Sequence, residues 1–337
     1  MQQAPEISPE LFWRTMSGYQ HTAILKAAVE LDFFTAIDAG AKTAAEIGAA
    51  TDSAERGVRI ACDALTVLGF LTKDENAYVL TPSSTTFLSK RSPAYIGSTM
   101  DFIAASHIRR GFDTFTDAVK QGGTVVTGDG SVDPESPMWV TFAHAMMPMM
   151  AQPAQMIADH LDYESDRPLK VLDIAAGHGI FGITIAKKFP NAQITGVDWK
   201  NVLEVAQANA EAFGVADRYK TIPGSAFDVE FGTGYDVVLL TNFLHHFDFD
   251  TCVSVIKKCS GALKPDGKLL TLEFVPNDDR VSPPSEALFS AVMLAGTPSG
   301  DAYTYRELTA MFEAGGFAHN EHIPLQPTPQ HLIVSTK

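Results

Sequence analysis

The sequence predicts an α/β protein, with a Rossmann-like, doubly wound parallel sheet preceded by an N-terminal, mainly helical region. Three observations carry this reading. From Leu169 onward, apolar runs of strand length alternate with helical patterns, and such alternation builds a parallel sheet with crossover helices. At the head of that region, Val171, Leu172 and Ile174 give way to Gly177 and Gly179, and a helical run from Ile180 to Phe189 follows and stops at Pro190. Upstream, two short helical patterns and a hairpin pattern follow one another between Thr43 and Leu80, the order of a winged helix.

The elements follow in chain order. Pro9 to Asp32 reads as helix with a broad apolar face of Leu11, Phe12, Ala23, Leu25, Ala27, Ala28 and Leu31. So apolar a first helix needs a partner surface larger than a small domain provides. Thr43 to Ala50 is a helix whose start carries a capping box of Thr43 and Glu46. Ser53 to Leu68 is a second, capped by Asp52 or Ser53, with Val58, Ile60, Ala61, Leu65 and Leu68 inward and Gly69 as its stop. Phe70-Leu71-Thr72 and Tyr78-Val79-Leu80 form a hairpin about Asp74-Glu75-Asn76. The candidate recognition helix of this winged helix offers only Arg56 and Arg59 among acidic neighbours. That is poor for phosphates, so the module reads as a dimerisation element. Ser92 to Asp162 is mainly helical, divided by a Gly- and Asp-rich loop from Gly122 to Ser136. Its Phe142, Met146 and Met150 are either adaptable core packing or the lining of an apolar ligand cavity. A polar linker, Asp162 to Pro168, precedes the sheet. Strands are expected at 169–174, 192–197, 219–223, 235–240 and 267–273, with a closing hairpin from Ala318–Ile323 and His331–Ser335. The expected domains are 1–95, winged-helix-like; 96–165, a helical connector lining the pocket; and 166–337, the cofactor-binding sheet.

Composition narrows the functional classes. At 337 residues the chain is long enough for two domains, and its net charge of −15 disfavours a nucleic-acid partner. Three cysteines, Cys62, Cys252 and Cys259, have no C-x-x-C spacing, which suits a reducing compartment. The first residues lack a basic stretch followed by an apolar core, and no apolar run approaches the roughly 20 residues of a membrane span. A cytoplasmic protein with no membrane or nucleic-acid partner is the expectation.

The glycine turn is where chemistry enters. A tight strand-to-helix turn lets a ligand approach without meeting a Cβ, and the free N–H groups of the helix start favour a negative group. A second strand ends in Asp198, about twenty residues beyond the glycines, from where a carboxylate reaches ribose hydroxyls. Gly177, Gly179 and Gly182 spell G-x-G-x-x-G, so NAD fits. S-adenosylmethionine fits better. Asp173 precedes the turn, where a pyrophosphate would be repelled and an α-amino group attracted. The segment Leu263-Lys-Pro-Asp-Gly267 then feeds a later strand, and the whole pattern resembles class I methyltransferases.

After the strand at 235–240 come Leu244-His245-His246-Phe247, at the carboxyl end of a parallel strand, where ligands bind. One of the two histidines is a candidate base; the alternative is that one caps the next helix and the other is packed. No metal site is expected, because suitably spaced further ligands are missing. Glu273 ends the strand at 267–273. Buried carboxylates are rare unless paired, and one bonded to a histidine would fix its tautomer; pairing with Lys268 or Arg280 is the alternative.

End to end, the chain resembles the two-domain small-molecule O-methyltransferases, the group of caffeic-acid, hydroxyindole and bacterial polyketide-tailoring enzymes. The resemblance implies a dimerising winged helix, a methyltransferase sheet, bound S-adenosylmethionine, a homodimer, and methyl transfer to a hydroxyl of an aromatic or polyketide-like small molecule. It places His245 as general base and Glu273 as the acid that orients it. Asp173, Gly177 and Gly179 match the cofactor loop, Asp198 the ribose acid, and Ser225, Ala226 and Phe227 the adenine stretch. Trp199, Thr241 and Asn242 join the cofactor set. Phe142, Met146, Met150, His246 and Met293 form the acceptor set. Three positions depart from the family: Ser225 replaces the adenine-site acid, His246 replaces an Asp, and Ala302 stands where a second catalytic Glu is common. Rivals are methylation of nitrogen or carbon, an atypical non-methylating member, and a winged-helix DNA-binding regulator.

Overall fold

The computed structural model describes residues 7–126 and 135–337, so part of the loop expected over 122–136 lies outside the described residues. The chain divides into two compact units, 1–104 and 105–337.

The first unit comprises helices α1 (Glu10–Met16), α2 (Gly18–Glu30), α3 (Phe33–Asp38), α4 (Ala44–Ala50) and α5 (Glu55–Val67). Strands β1 (Leu71–Asp74) and β2 (Ala77–Leu80) and helices α6 (Pro82–Leu88) and α7 (Met100–Ile103) complete it. The expected helix from Pro9 to Asp32 is broken at Ser17, which closes α1 and opens α2. The α4 capping box forms as read, with the Thr43 hydroxyl accepting from the Glu46 N–H and the Glu46 carboxylate accepting from the Thr43 N–H. Helix α5 differs. Its N-cap is Ala54, with no side-chain cap. Cys62 takes the inward place, while Ile60 is 43 % exposed. Helices α4 and α5 followed by the antiparallel β1–β2 hairpin complete the winged-helix order, around a core of Phe33, Phe34, Ile47, Val58, Leu65, Leu71 and Tyr78.

The second unit opens with α8 (Ser106–Asp113), α9 (Phe115–Gln121) and the long α10 (Pro137–His160). Then strand and helix alternate: β3 (Lys170–Ile174), α11 (Ile180–Lys188), β4 (Gln193–Asp198), α12 (Lys200–Ala212), β5 (Tyr219–Pro223), β6 (Tyr235–Thr241), α13 (Phe249–Ala262), β7 (Leu263–Glu273), α14 (Pro284–Gly296), α15 (Tyr305–Ala314), β8 (His319–Pro324) and β9 (His331–Thr336). The sheet order is β5-β4-β3-β6-β7-β9-β8. Its first five strands run parallel, and the final β8–β9 hairpin pairs antiparallel to β7. Strand β7 begins earlier than expected: Leu263 pairs with Tyr235 before a register shift leads into the regular ladder. The stretch Asp162 to Pro168 is an irregular connection within this unit, because α10 packs on α11 and α12. One face of the sheet is sealed by an apolar cluster that includes Leu172, Val238, Leu240, Val255, Ile256 and Phe312. Because β3 pairs in parallel with both β4 and β6, the carboxyl ends of these three strands lie on one edge of the sheet.

Candidate active site

The glycine turn after β3 divides its work among its glycines. A Cβ built on Gly177, whose φ is +56°, would meet no protein atom nearer than 3.8 Å, so a side chain there would occupy open space beside the turn. Gly179 and Gly182 serve packing instead. A Cβ on Gly179 would lie 2.9 Å from the Tyr219 hydroxyl, and one on Gly182 2.9 Å from Asp173 Oδ2. The N-cap residue of helix α11, Gly179, offers no side-chain cap, and the first turn holds no acidic residue, so the positive end of the helix dipole faces the turn.

Asp198 closes β4. Its Oδ2 accepts the Gly177 N–H at 2.8 Å and its Oδ1 accepts the Trp199 N–H at 2.7 Å. Burial lifts its carboxyl to about 6, against the opposing pull of those two N–H groups. A cavity of about 330 Å³ opens here. It brings together eight of the expected cofactor residues, Gly177, Asp198, Trp199, Ser225, Ala226, Phe227, Thr241 and Asn242. Two of the expected acceptor residues, Phe142 and His246, also line it.

Other expected residues lie elsewhere. Asp173 and Gly179 do not line the cavity. The Asp173 side chain is fully buried, its Oδ2 accepts the Gly182 N–H at 3.1 Å, and burial raises its carboxyl to about 8. It therefore braces the turn from beneath, and the expected attraction for an α-amino group finds no exposed charge. Met146, Met150 and Met293 are buried and off the cavity wall; the Asn242 amide donates to the Met150 sulfur at 3.5 Å. Of the three residues with two open readings, Phe142 lines the cavity, and Met146 and Met150 sit in the packed interior.

The lining also includes residues that sequence reasoning missed, among them Trp139, His178, Asp228, Phe243 and Phe247. Each is adjacent to, or within a few residues of, a motif that was read: His178 sits between the turn glycines, Asp228 follows Phe227, and the two phenylalanines bracket the histidine pair. Asp228 brings a carboxylate to the wall three residues after Ser225, whose own hydroxyl accepts the Phe227 N–H at 3.2 Å.

The histidine pair occupies a single tight turn, Leu244–His246, beyond β6. Glu273, the last residue of β7 and almost wholly buried, reaches across to it. Glu273 Oε1 accepts the N–H groups of Phe243 at 3.0 Å and Leu244 at 2.8 Å, and Oε2 meets His245 Nδ1 at 2.5 Å. A carboxylate on Nδ1 keeps the ring proton there and leaves Nε2 as the basic nitrogen. The ring is wedged edge-to-face on Phe289 at 4.9 Å. His246 stands 4.3 Å from it, ring to ring, with its own edge on Trp139 at 5.5 Å. Thus His246 faces the cavity, while His245 sits beside it holding the carboxylate. His246 Nδ1 is buried without a hydrogen-bond partner among the described residues. Burial, and then the neighbouring His245, push His246 well below the ordinary histidine range. Among the described residues no group of histidine, cysteine and carboxylate side chains is arranged to hold a metal ion.

Comparison with known proteins decides the family. Residues 140–318 match the family model of the O-methyltransferase domain, and residues 13–90 match the O-methyltransferase dimerisation domain. The chain belongs to the O-methyltransferase family. Among its relatives is the 3-hydroxy-5-methyl-1-naphthoate 3-O-methyltransferase of Streptomyces sahachiroi, 27 % identical over 311 residues that span 91 % of this chain and 89 % of the relative. A crystal structure from Nostoc punctiforme, provisionally described as an O-methyltransferase, is 49 % identical with a TM-score of 0.94, covering 99 % of this chain and 100 % of that one. Human N-acetylserotonin methyltransferase, solved in complex with SAM, shares the fold at a TM-score of 0.84 and 21 % identity, over 100 % of this chain and 99 % of the human one.

Within this O-methyltransferase, the segment around Ala302 brings no further carboxylate to His245 among the described residues. Ala302 is fully buried. Its neighbours point outward or into the core: Asp301 and Glu307 pair with Arg280, and the Tyr303 hydroxyl donates to the Phe247 carbonyl at 2.6 Å. Glu273 is the one carboxylate bonded to His245 among the described residues. No helix among the described residues of this O-methyltransferase is long and apolar enough to cross a membrane.

Proposed function

We propose that this protein transfers a methyl group from S-adenosylmethionine to a hydroxyl of an aromatic or polyketide-like small molecule, with His245 as the general base. The observation that carries the proposal is the buried Glu273–His245 pair set beside an aromatic-lined cavity that ends in Asp198. The residues fit the cofactor: a Cβ at Gly177 would fill open space at the cavity, and Asp198 keeps unused acceptor capacity beyond its two backbone bonds. Asp198 would accept the ribose hydroxyls, with Trp199 beside it. Ser225, Ala226 and Phe227 would border the adenine, and Thr241 and Asn242 would close the wall at the end of β6.

S-adenosylmethionine, when bound, supplies an electrophilic methyl group on a sulfonium. The chain's own task is alignment of the acceptor and removal of its proton. A phenol, with an ordinary pKa near ~10, is mostly protonated at neutral pH. His245 Nε2 would take that proton, and Glu273 would stabilise the resulting imidazolium through Nδ1. His246 is the weaker candidate, because burial disfavours its charged form and no described residue holds its Nδ1. Phe142 and His246 would face the acceptor from the cavity wall. The dimerisation domain supports a homodimer.

The deciding experiment is a screen with methyl-labelled S-adenosylmethionine over phenols, naphthols, indoles and quinone-derived hydroxyls, with product analysis by mass. Label in an aryl ether is the expected result. A protein that binds S-adenosylhomocysteine but labels only nitrogen or carbon would overturn the acceptor assignment. One that does not bind it would overturn the cofactor assignment.

A further inference from the structure

The cavity poses an electrostatic problem that its lining does not obviously solve. The proposed cofactor carries a carboxylate on its amino-acid moiety. Among the described residues, the side chains that line the cavity include Asp198 and Asp228 but no lysine or arginine. A carboxylate there must be met by neutral donors.

His178 is one such donor. It lies between the turn glycines, lines the cavity, and is only 3 % exposed. Its Nδ1 accepts the Ile180 N–H at 3.2 Å. A ring nitrogen that accepts an N–H carries no proton, so the neutral ring holds its proton on Nε2. Burial holds His178 at about 4, which keeps that neutral form at physiological pH. Asn209 Nδ2 donates to the His178 carbonyl at 2.9 Å, and Phe142 stacks near-parallel on the ring at 6.4 Å. The ring is thus fixed in place. No hydrogen-bond partner for Nε2–H is found among the described residues, and the ring stands at the N-terminus of α11, whose dipole favours negative charge.

We infer that His178 Nε2–H is a hydrogen-bond donor to the carboxylate of the cofactor's amino-acid moiety. This rests on the cofactor reading above. It gives the carboxylate of that moiety a partner at the turn, where Asp173 is bound to Gly182 beneath it.

The test is calorimetry with two ligands, S-adenosylhomocysteine and 5′-methylthioadenosine, which lacks the amino-acid moiety. His178→Asn keeps an acceptor for the Ile180 N–H but removes the distal donor; His178→Gln restores a donor near the Nε2 position. His178→Asn should weaken S-adenosylhomocysteine about tenfold to a hundredfold, the range for a hydrogen bond to a charged group. Methylthioadenosine should change by less than about threefold, and His178→Gln should recover part of the loss. Equal weakening of both ligands would mean a purely structural loop residue and would overturn the inference. So would unchanged S-adenosylhomocysteine binding in His178→Asn, or a ¹⁵N spectrum with the His178 proton on Nδ1. Wild-type protein that binds neither ligand would instead overturn the cofactor reading, and the inference with it.

Discussion

Glu273 ties His245 to the loop that carries it: one carboxylate oxygen holds the Phe243 and Leu244 N–H groups, and the other meets His245 Nδ1 at 2.5 Å. Loop position and ring tautomer are therefore set by a single side chain. Glu273→Gln cannot satisfy both roles. With its carbonyl toward the two N–H groups, its amide donates to Nδ1 and moves the ring proton to Nε2, which then cannot accept. With the amide reversed, two backbone donors face a donor. Turnover should fall in Glu273→Gln nearly as far as in His245→Ala, by about 10²–10⁴, while S-adenosylhomocysteine affinity stays within a few-fold. Rates at saturating cofactor, once an acceptor is found, test this. Full activity in His245→Ala would place the base elsewhere, with His246 next.

Asp198 predicts a pH dependence of cofactor binding. Its carboxyl stands at about 6 in the ligand-free protein. Hydroxyl donors favour the ionised form, so binding lowers that value and releases protons near pH 6. S-adenosylhomocysteine affinity should be flat above pH 7 and weaken by up to about tenfold per pH unit below 6. Asp198→Asn should bind at least about tenfold more weakly at pH 7.5, without this acid dependence. An unchanged affinity in Asp198→Asn would remove the residue from the site.

Asp173 predicts a stability effect of the opposite sign to that of an ordinary salt-bridged acid. Burial raises its carboxyl from 3.8 to about 8. A group raised in the fold contributes its full stability below the unfolded value and loses it as pH rises toward the folded one. The native protein should thus lose stability from this residue between about pH 4 and pH 8. Asp173→Asn keeps a carbonyl for the Gly182 N–H and cannot ionise. Its melting temperature should gain on the wild type with rising pH, by at least about 2 °C between pH 5 and 8.5. Parallel melting curves would show that Asp173 ionises near its ordinary value.

What could be read from the sequence follows from how each feature is encoded. Strands β3 and β6 are legible because buried parallel strands are short, continuous apolar runs between turn residues. The Glu273–His245 pair is legible because both residues sit at carboxyl ends of neighbouring strands, β6 and β7. Side-chain direction was not legible. Asp173 lies in the right turn but points down onto Gly182. Which of two adjacent histidines faces the cavity depends on the tight turn at Leu244–His246, whose rotation between residues no periodicity reports. His178 was hidden because its role depends on a bond from its ring to Ile180 two residues on. In α5, Cys62 displaced Ile60 from the core, since a small buried thiol fits the inward stripe as well as a larger aliphatic chain.

The last prediction concerns assembly. Helix α1 buries none of its residues within the single chain. Phe12 is 58 % and Trp13 64 % exposed, with Leu11, Met16 and Tyr19 also open. Contiguous apolar exposure on this scale marks an interface, and this stretch runs into the start of the dimerisation-domain match at residue 13. A two-fold dimer is expected, with α1 covered by the second copy. The double substitution Phe12→Glu with Trp13→Glu places two charges on that face. Neither residue belongs to the core of its unit, so the secondary structure of each chain should be retained while the dimer weakens by at least about a hundredfold. Light scattering at micromolar concentration reads the outcome directly. A wild-type monomer would refute the dimer, and a double variant that remains dimeric would move the interface off α1.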